Sequence, residues 1–270
     1  MQGHANEAPG ETDRMKVAIL AGGLGTRLSE ETTVRPKPMV EIGGKPLLWH
    51  IMNIYAAYGF KEFVIALGYK GEIIKDYFLN YHYHARSLSV RLDTGEATAH
   101  GGTGEDWVVH LLDTGVDTQT GGRVKRVAEF IGNEPFMLTY GDGVSNIDIP
   151  QLMDFHRAQG KLATVTAVRP PARFGQMVID DGRVVEFKEK PQIGEGWING
   201  GFFVLEPGIV NYIAGDQTSW EFESLERMAA EGQLAAFQHG AFWHCMDTVR
   251  DVHLLDRLWS EGSAPWKIWD

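Results

Sequence analysis

Residues 17–28 read "VAILAGGLGTRL": a short apolar run, glycines at 22, 23 and 25, and then Arg27. The run 17–20 predicts a buried first strand, and the glycines predict a tight turn at its end. Beyond the turn stands a lysine between two prolines, Pro36-Lys37-Pro38. Pro46 then opens a helix whose apolar residues Leu47, Leu48, Ile51, Ile54, Tyr55 and Tyr58 recur at helical spacing, and Gly59 closes it. "FVIAL" at 63–67 predicts the next strand, followed by a helix over 72–79. Strand, helix and strand in alternation call for parallel pairing, and so for a three-layer α/β/α sandwich.

Further along, "SLSVRL" (87–92) and "WVVHLL" (107–112) read as strands, and "RVKRVAEFI" (123–131) reads as a helix. "FMLTYGDG" (136–143) is an apolar strand that ends on an acid. In "MVIDDGRVVEF" (177–187) two alternating runs meet at Asp181-Gly182, a strong hairpin signal, so the sheet is mixed, mostly parallel, with embedded β-hairpins. The tail "TVRDVHLLDRLW" (248–259) sets Val249, Val252, Leu255 and Trp259 on one helical face. Without an internal repeat or a linker, residues 15–270 read as a single domain. The polar leader "MQGHANEAPGETDR" (1–14) reads as a disordered extension or cloning scar and lacks the apolar segment of a secretory signal.

Composition excludes several classes. A net charge of −11 argues against nucleic-acid or anionic-membrane partners, while leaving room for a local cationic pocket. The single cysteine, Cys245, rules out an intramolecular disulfide and a thiolate cluster, and reads as a small half-buried hydrophobe. No apolar run approaches the roughly 18 residues that span a bilayer. The cytoplasm is the expected compartment.

The glycine turn is not a Walker A loop, because no lysine followed by Ser or Thr occupies the required place. Nor is it a dinucleotide fingerprint, because the third glycine position holds Leu28. What remains suits a polyphosphate. Backbone N–H groups at a turn meet an anion without side-chain bulk, Arg27 adds a planar fork, and Lys37 adds a point charge held by its flanking prolines. Taken alone, the glycines could equally be loop-shaping residues.

"AGGLGTRL…RPKPM" resembles the signature of the sugar-nucleotide pyrophosphorylases, and "YGDGV" (140–144), "EKP" (189–191), "NGG" (199–201) and "MDT" (246–248) follow in that family's order. The likeness runs from Met15 to the C-terminus. "LSEET" after Arg27 departs from the thymidylyl and uridylyl branches. "DYFLNYHYH", "LLDTGVDTQTGGRVKRV" and "FWHCMDTVRDVHLLDRLW…APWKIW" are similar to the glucose-1-phosphate cytidylyltransferase branch. The resemblance implies a nucleotide-diphospho-sugar transferase fold, Rossmann-like in character. It also implies CTP and glucose 1-phosphate as substrates, Mg²⁺ as cofactor, and a homo-oligomer, a trimer or a hexamer.

The same resemblance assigns roles. Leu20, Ala21, Gly22, Gly23, Leu24, Gly25 and Thr26 would cradle the nucleotide, with Arg27 gripping its outer phosphates and Lys37 neutralising charge at the reacting ones. Thr118, Arg123 and Gly141 would contact the nucleotide, with Arg123 equally readable as an exposed residue at a helix start. Asp142 and Asp247 would hold the metal, Asp142 also meeting the nucleotide. Glu189, Lys190, Asn199 and Gly200 would form the sugar-phosphate pocket. The group that reads cytosine is left open.

Two other functions stay in view. A glycosyltransferase would carry an Asp-x-Asp pair, where this chain has Gly141-Asp142-Gly143. A nucleotide-sugar sensor would not require Arg27, Lys37, Asp142, Lys190 and Asp247 together. "YHYH" (81–84) offers alternating side chains without a third zinc ligand, and His110, His156, His244 and His253 read as structural. The tryptophans are expected in the core or at subunit contacts.

Overall fold

The computed structural model describes residues 15–25, 28–84, 86–101, 104–170, 176–180, 183–188 and 196–269. The expected leader therefore lies outside the described residues. The strand β1 (Val17–Leu20) is followed by helix α1 (Leu47–Ala56), β2 (Glu62–Leu67) and α2 (Gly71–His84). Next come β3 (Ser87–Val90), β4 (Ala97–His100), β5 (Val108–Asp113), α3 (Thr120–Ile131) and β6 (Phe136–Tyr140). Then follow α4 (Ile149–Gln159), β7 (Ala163–Val168), β8 (Gln176–Asp180), β9 (Arg183–Lys188), β10 (Ile198–Leu205), β11 (Leu234–His239) and α5 (Val249–Ser260).

Seven of these strands form the central sheet, in the order β11-β7-β10-β6-β1-β2-β5. All of its pairings are parallel except the two made by β10, which runs antiparallel to β6 and to β7. The sheet is thus mixed and mostly parallel. β3 pairs with β4, and β8 with β9, as separate antiparallel ribbons. The Asp181-Gly182 turn expected between β8 and β9 lies outside the described residues.

Alternation along β1 explains the layering. Val17 and Ile19 join Phe63 and Ile65 in one buried cluster with Leu47, Leu48, Ile51, Ile54 and Tyr55 of α1 and Leu255 of α5. Ala18 and Leu20 point the other way, into a cluster with Val124, Val127 and Ala128 of α3. A strand buried on both faces needs a helix layer on each, and each fully buried large aliphatic side chain contributes about 1.5–3 kcal/mol. Hence the α/β/α sandwich.

Three sequence expectations need adjusting. The helix expected over 72–79 runs on to His84, so the "YHYH" stretch is its last turn, where Tyr77, Phe78 and Tyr81 pack ring against ring and Trp49 Nε1 donates to the Tyr81 hydroxyl (3.1 Å). The third helix begins before Arg123, at Thr120. α4 was not anticipated, although its signals are present: Asp148 caps the Gln151 N–H at 2.9 Å, and Gly160 ends the helix at φ 58°. The tryptophans follow expectation in part. Trp220 and Trp266 are fully buried, and Trp49, Trp259 and Trp266 ring the buried His50. Burial pushes the His50 pKa down to about 4, so the ring is neutral; its Nε2 lies 2.8 Å from the Ile42 carbonyl. Among the described residues no helix is long and apolar enough to cross a membrane.

Candidate active site

Strand order reverses at β1, whose neighbours are β2 on one side and β6 on the other. Crevices at such reversal points, beyond the carboxyl ends of the strands, are where open α/β sheets receive ligands. Here a cavity of about 570 Å³ opens, bounded by residues 20–25, Lys37, residues 116–120, Tyr140, Gly141, Asp142 and Asp247. Register places the two decisive loops side by side. Leu20 pairs with Tyr140, and the Gly141 N–H donates to the Leu20 carbonyl at 3.0 Å.

Lys37 reaches the cavity floor from a short 3₁₀ turn (Lys37–Met39) flanked by extended Pro36 and closed by the Met39 N–H on the Pro36 carbonyl (2.8 Å). Its side chain is almost fully covered, and the ammonium donates to Asp142 Oδ2 (2.9 Å) and Asp247 Oδ1 (2.6 Å). Burial alone would lower this lysine's pKa; the Asp142 charge and the hydrogen bonds to both aspartates outweigh it and hold the pKa above the ordinary value. Lys37 is therefore a permanent cation.

The two aspartates are far apart in sequence, and a short ribbon brings them together. Strand Trp243–Cys245 pairs antiparallel with Gly143–Ser145, Cys245 opposite Gly143, and the Met246 N–H donates to the Asp142 carbonyl (2.8 Å). Asp247 is then fixed by the start of α5. Thr248 and Asp251 form a reciprocal capping box, and Asp251 Oδ2 also accepts the Asp247 N–H (3.1 Å). Burial would raise the Asp251 pKa, but hydrogen bonds from Thr248 and His244 hold it below the usual carboxylate range. His244 is thus structural, as expected. His110 meets Glu62 and His156 meets Thr164 and Glu206, also away from the cavity.

The donor set suits a hard divalent cation. Carboxylate oxygens of Asp142 and Asp247 and the Cys245 sulfur all lie within 4.8 Å of one another. One ammonium against two carboxylates leaves a negative charge, which a cation shared with phosphate oxygens would balance. Cys245 is half-buried as anticipated, and burial together with the Asp142 carboxylate pushes its thiol pKa up, so the sulfur is a neutral neighbour.

Arg123 corrects the reading of an exposed helix-start arginine. It is 4 % exposed, and its guanidinium donates to the carbonyls of Leu67 (3.0 Å), Gly115 (2.7 Å) and Val116 (3.1 Å) and to the Thr114 hydroxyl (2.7 Å). It lies directly beneath Gly22, where a Cβ would fall 2.3 Å from Nη1. Arg123 therefore ties residues 114–116 to the end of β2 beneath the glycine turn and shapes the cavity wall. Thr118 lines that wall. Asn199 and Gly200 stand beside Tyr140 at the start of β10: Asn199 Nδ2 donates to the Tyr140 hydroxyl (3.2 Å), and the Gly200 carbonyl accepts from Trp243 Nε1 (2.8 Å). Thr26, Arg27, Glu189 and Lys190 lie outside the described residues. Val116, Asp117, Gln119, Thr120 and Tyr140 line the cavity without having been singled out from sequence. Only proximity to "GGR" and "GDG" could have flagged them.

A family model described as nucleotidyl transferase matches residues 16–253. Glucose-1-phosphate cytidylyltransferase of Salmonella typhi is 53% identical over 257 residues, which cover 95% of this chain and 100% of that protein. Among solved structures, HddC from Yersinia pseudotuberculosis complexed with GMP-PN superposes with a TM-score of 0.67 at 25% identity, covering 91% of this chain and 99% of the other. UDP-glucose pyrophosphorylase complexed with UDP-glucose shares the fold, with a TM-score of 0.66 at 18% identity over 92% of this chain and 99% of that one.

Proposed function

The chain belongs to the nucleotidyl transferase family, and from that premise we infer that it transfers the CMP moiety of CTP to α-D-glucose 1-phosphate, releasing pyrophosphate and forming CDP-glucose. The observation that carries the chemistry is the convergence of Lys37, Asp142 and Asp247 on the glycine turn at the sheet's reversal point. The choice of CTP and glucose 1-phosphate is supported by the likeness to the Salmonella typhi enzyme.

An oxygen of the sugar phosphate attacks the α-phosphorus of CTP, and the bond to the oxygen bridging the α- and β-phosphorus breaks. The attacking phosphate is already ionised near neutrality, so neither a general base nor a covalent nucleophile is required. The protein's task is to bring two polyanions together and offset the charge at the reacting phosphates. Backbone N–H groups of residues 20–26 face the triphosphate, Arg27 grips its outer phosphates, and Lys37 supplies a fixed positive charge beside the reacting ones. Asp142 and Asp247 would hold Mg²⁺, which when bound supplies positive charge to the phosphates. Residues 115–120, shaped by Arg123 and carrying Thr118, form the wall on the nucleotide side. Glu189, Lys190, Asn199 and Gly200 take the sugar phosphate.

The chain acts as one unit from residue 15 onward, in the cytoplasm, as a homotrimer or hexamer that feeds deoxysugar synthesis for surface polysaccharide. Exposed Leu88, Val90 and Leu92 on and beside β3 offer apolar surface for subunit contacts, and the net charge of −11 speaks against nucleic acid and anionic membranes as partners.

Pyrophosphate release tests the reading. Purified protein is incubated with Mg²⁺, glucose 1-phosphate and each nucleoside triphosphate in turn. Turnover with CTP alone is expected. Preference for dTTP or UTP rejects the cytidylyl assignment, and no pyrophosphate with any pair rejects catalysis in favour of a sensor.

A further inference from the structure

No motif draws attention to Glu221, yet it joins two walls of the site. It lies in a widened helical turn (Trp220–Leu225) in which the Ser224 N–H reaches the Ser219 carbonyl at 3.3 Å, an i→i+5 bond. Turns of that kind recur at functional sites. This one is anchored by Trp220, which is fully buried and packs edge-on against Phe203 of β10.

Both carboxylate oxygens of Glu221 are engaged. Oε1 accepts the Tyr140 hydroxyl (2.7 Å), and Oε2 accepts the hydroxyls of Thr120 (2.6 Å) and Ser219 (3.2 Å). The Tyr140 oxygen in turn accepts from Asn199 Nδ2 (3.2 Å), and Asn199 Oδ1 accepts the Gly201 N–H (2.9 Å). Gly201 has φ +80°, and a Cβ there would fall 2.5 Å from the Tyr140 ring, so the "NGG" segment is built to receive this tyrosine. Thr120 is fixed from its other side by the Trp220 N–H (3.0 Å). Direction matters in this chain of bonds. Tyr140 accepts from Asn199 and must donate onward, and Thr120 accepts from Trp220 and must donate onward. Only an acceptor on both oxygens satisfies both, and that means a carboxylate.

We propose that Glu221 is a positioning residue that orients Thr120 and Tyr140 on the nucleotide wall and, through Tyr140, the Asn199 carboxamide of the sugar-phosphate pocket, so that one carboxylate sets the two substrate pockets relative to each other. The proposal rests on the two-substrate reading above and adds the element that links the halves.

Glu221→Gln is the discriminating variant, because it keeps the shape and presents an N–H donor to one of two hydroxyls that must themselves donate. Steady-state kinetics are run with whichever nucleotide and sugar 1-phosphate the wild type turns over best. The expected result is a rise of about tenfold in both KM values, with kcat within threefold of wild type and a melting temperature lowered by only a few degrees, about what one lost hydrogen bond costs. Tyr140→Phe is expected to raise the sugar-phosphate KM similarly, and the double variant to be no worse than the more affected single one. Phe222→Ala, on the same turn but 76 % exposed, joins these bonds only through its backbone N–H on the Ser219 hydroxyl, which alanine keeps, and is expected to behave as wild type. Unchanged KM values, a loss confined to kcat, or effects that multiply in the double variant would overturn the proposal. A wild type that prefers other substrates rejects the assignment to CTP and glucose 1-phosphate while this comparison still stands; one inert towards every pair overturns both.

Discussion

Lys37 sets one positive charge against the two negative charges of Asp142 and Asp247, at 2.9 and 2.6 Å. The ammonium and a divalent cation thus draw on the same oxygens. Replacing Lys37 with methionine removes that competition and also the cation beside the phosphates. Turnover is expected to fall at least about a hundredfold, the scale on which single electrostatic contacts in such sites act. Yet Mg²⁺ without nucleotide should raise the melting temperature of Lys37→Met more than that of wild type. Asp142→Asn should show the opposite pattern, with magnesium-dependent turnover abolished and no thermal response to the ion. A thermal response to Mg²⁺ in Lys37→Met no larger than in wild type, or magnesium-dependent turnover retained by Asp142→Asn, would mean that the carboxylates do not hold the ion.

At the scale of elements, the start of α5 is what makes Asp247 available. Asp251 accepts the N–H groups of Asp247 (3.1 Å) and Thr248 (2.8 Å) and faces His244 Nε2 (3.0 Å), so one side chain ties the helix cap to the ribbon that carries the second aspartate. Asp251→Ala is expected to cost about 1–2 kcal/mol of stability in urea unfolding, as the loss of a helix cap does. It should also raise the Mg²⁺ concentration that gives half-maximal activity. Lost stability with an unchanged magnesium requirement would show that the cap serves the fold alone. Much at this scale was legible in sequence. The apolar run, the glycine turn and the periodic helix after Pro46 declare β1, α1 and β2, because local periodicity and turn chemistry act over a few residues. The seating of β10 between β6 and β7 was not legible, since the antiparallel pairing of Phe203 with Leu138 joins distant segments that carry no mark of each other. Arg123 shows the same limit. Its sequence neighbours leave a nucleotide contact and an exposed helix start equally open, whereas its carbonyl partners come from β2 and the loop after β5.

Over the whole molecule, the switch in strand order gathers groups from the turn after β1, the loop after β6 and the entry to α5 at one end of the sheet. The motifs that carry this resemblance could be read in order along the chain, but Glu221 could not, because the role proposed for it lies in Tyr140 and Thr120 reaching it from two separate elements, with Asn199 joined to it through Tyr140. In the proposed reaction the gathered groups serve a direct meeting of two phosphates, with one bond made at the α-phosphorus and one broken there. Glucose 1-phosphate labelled with ¹⁸O in its non-bridging phosphate oxygens, turned over with unlabelled CTP and Mg²⁺, reads that step directly. All of the label is expected in CDP-glucose, with none in pyrophosphate; ¹⁸O appearing in pyrophosphate would contradict attack by the sugar phosphate at the α-phosphorus.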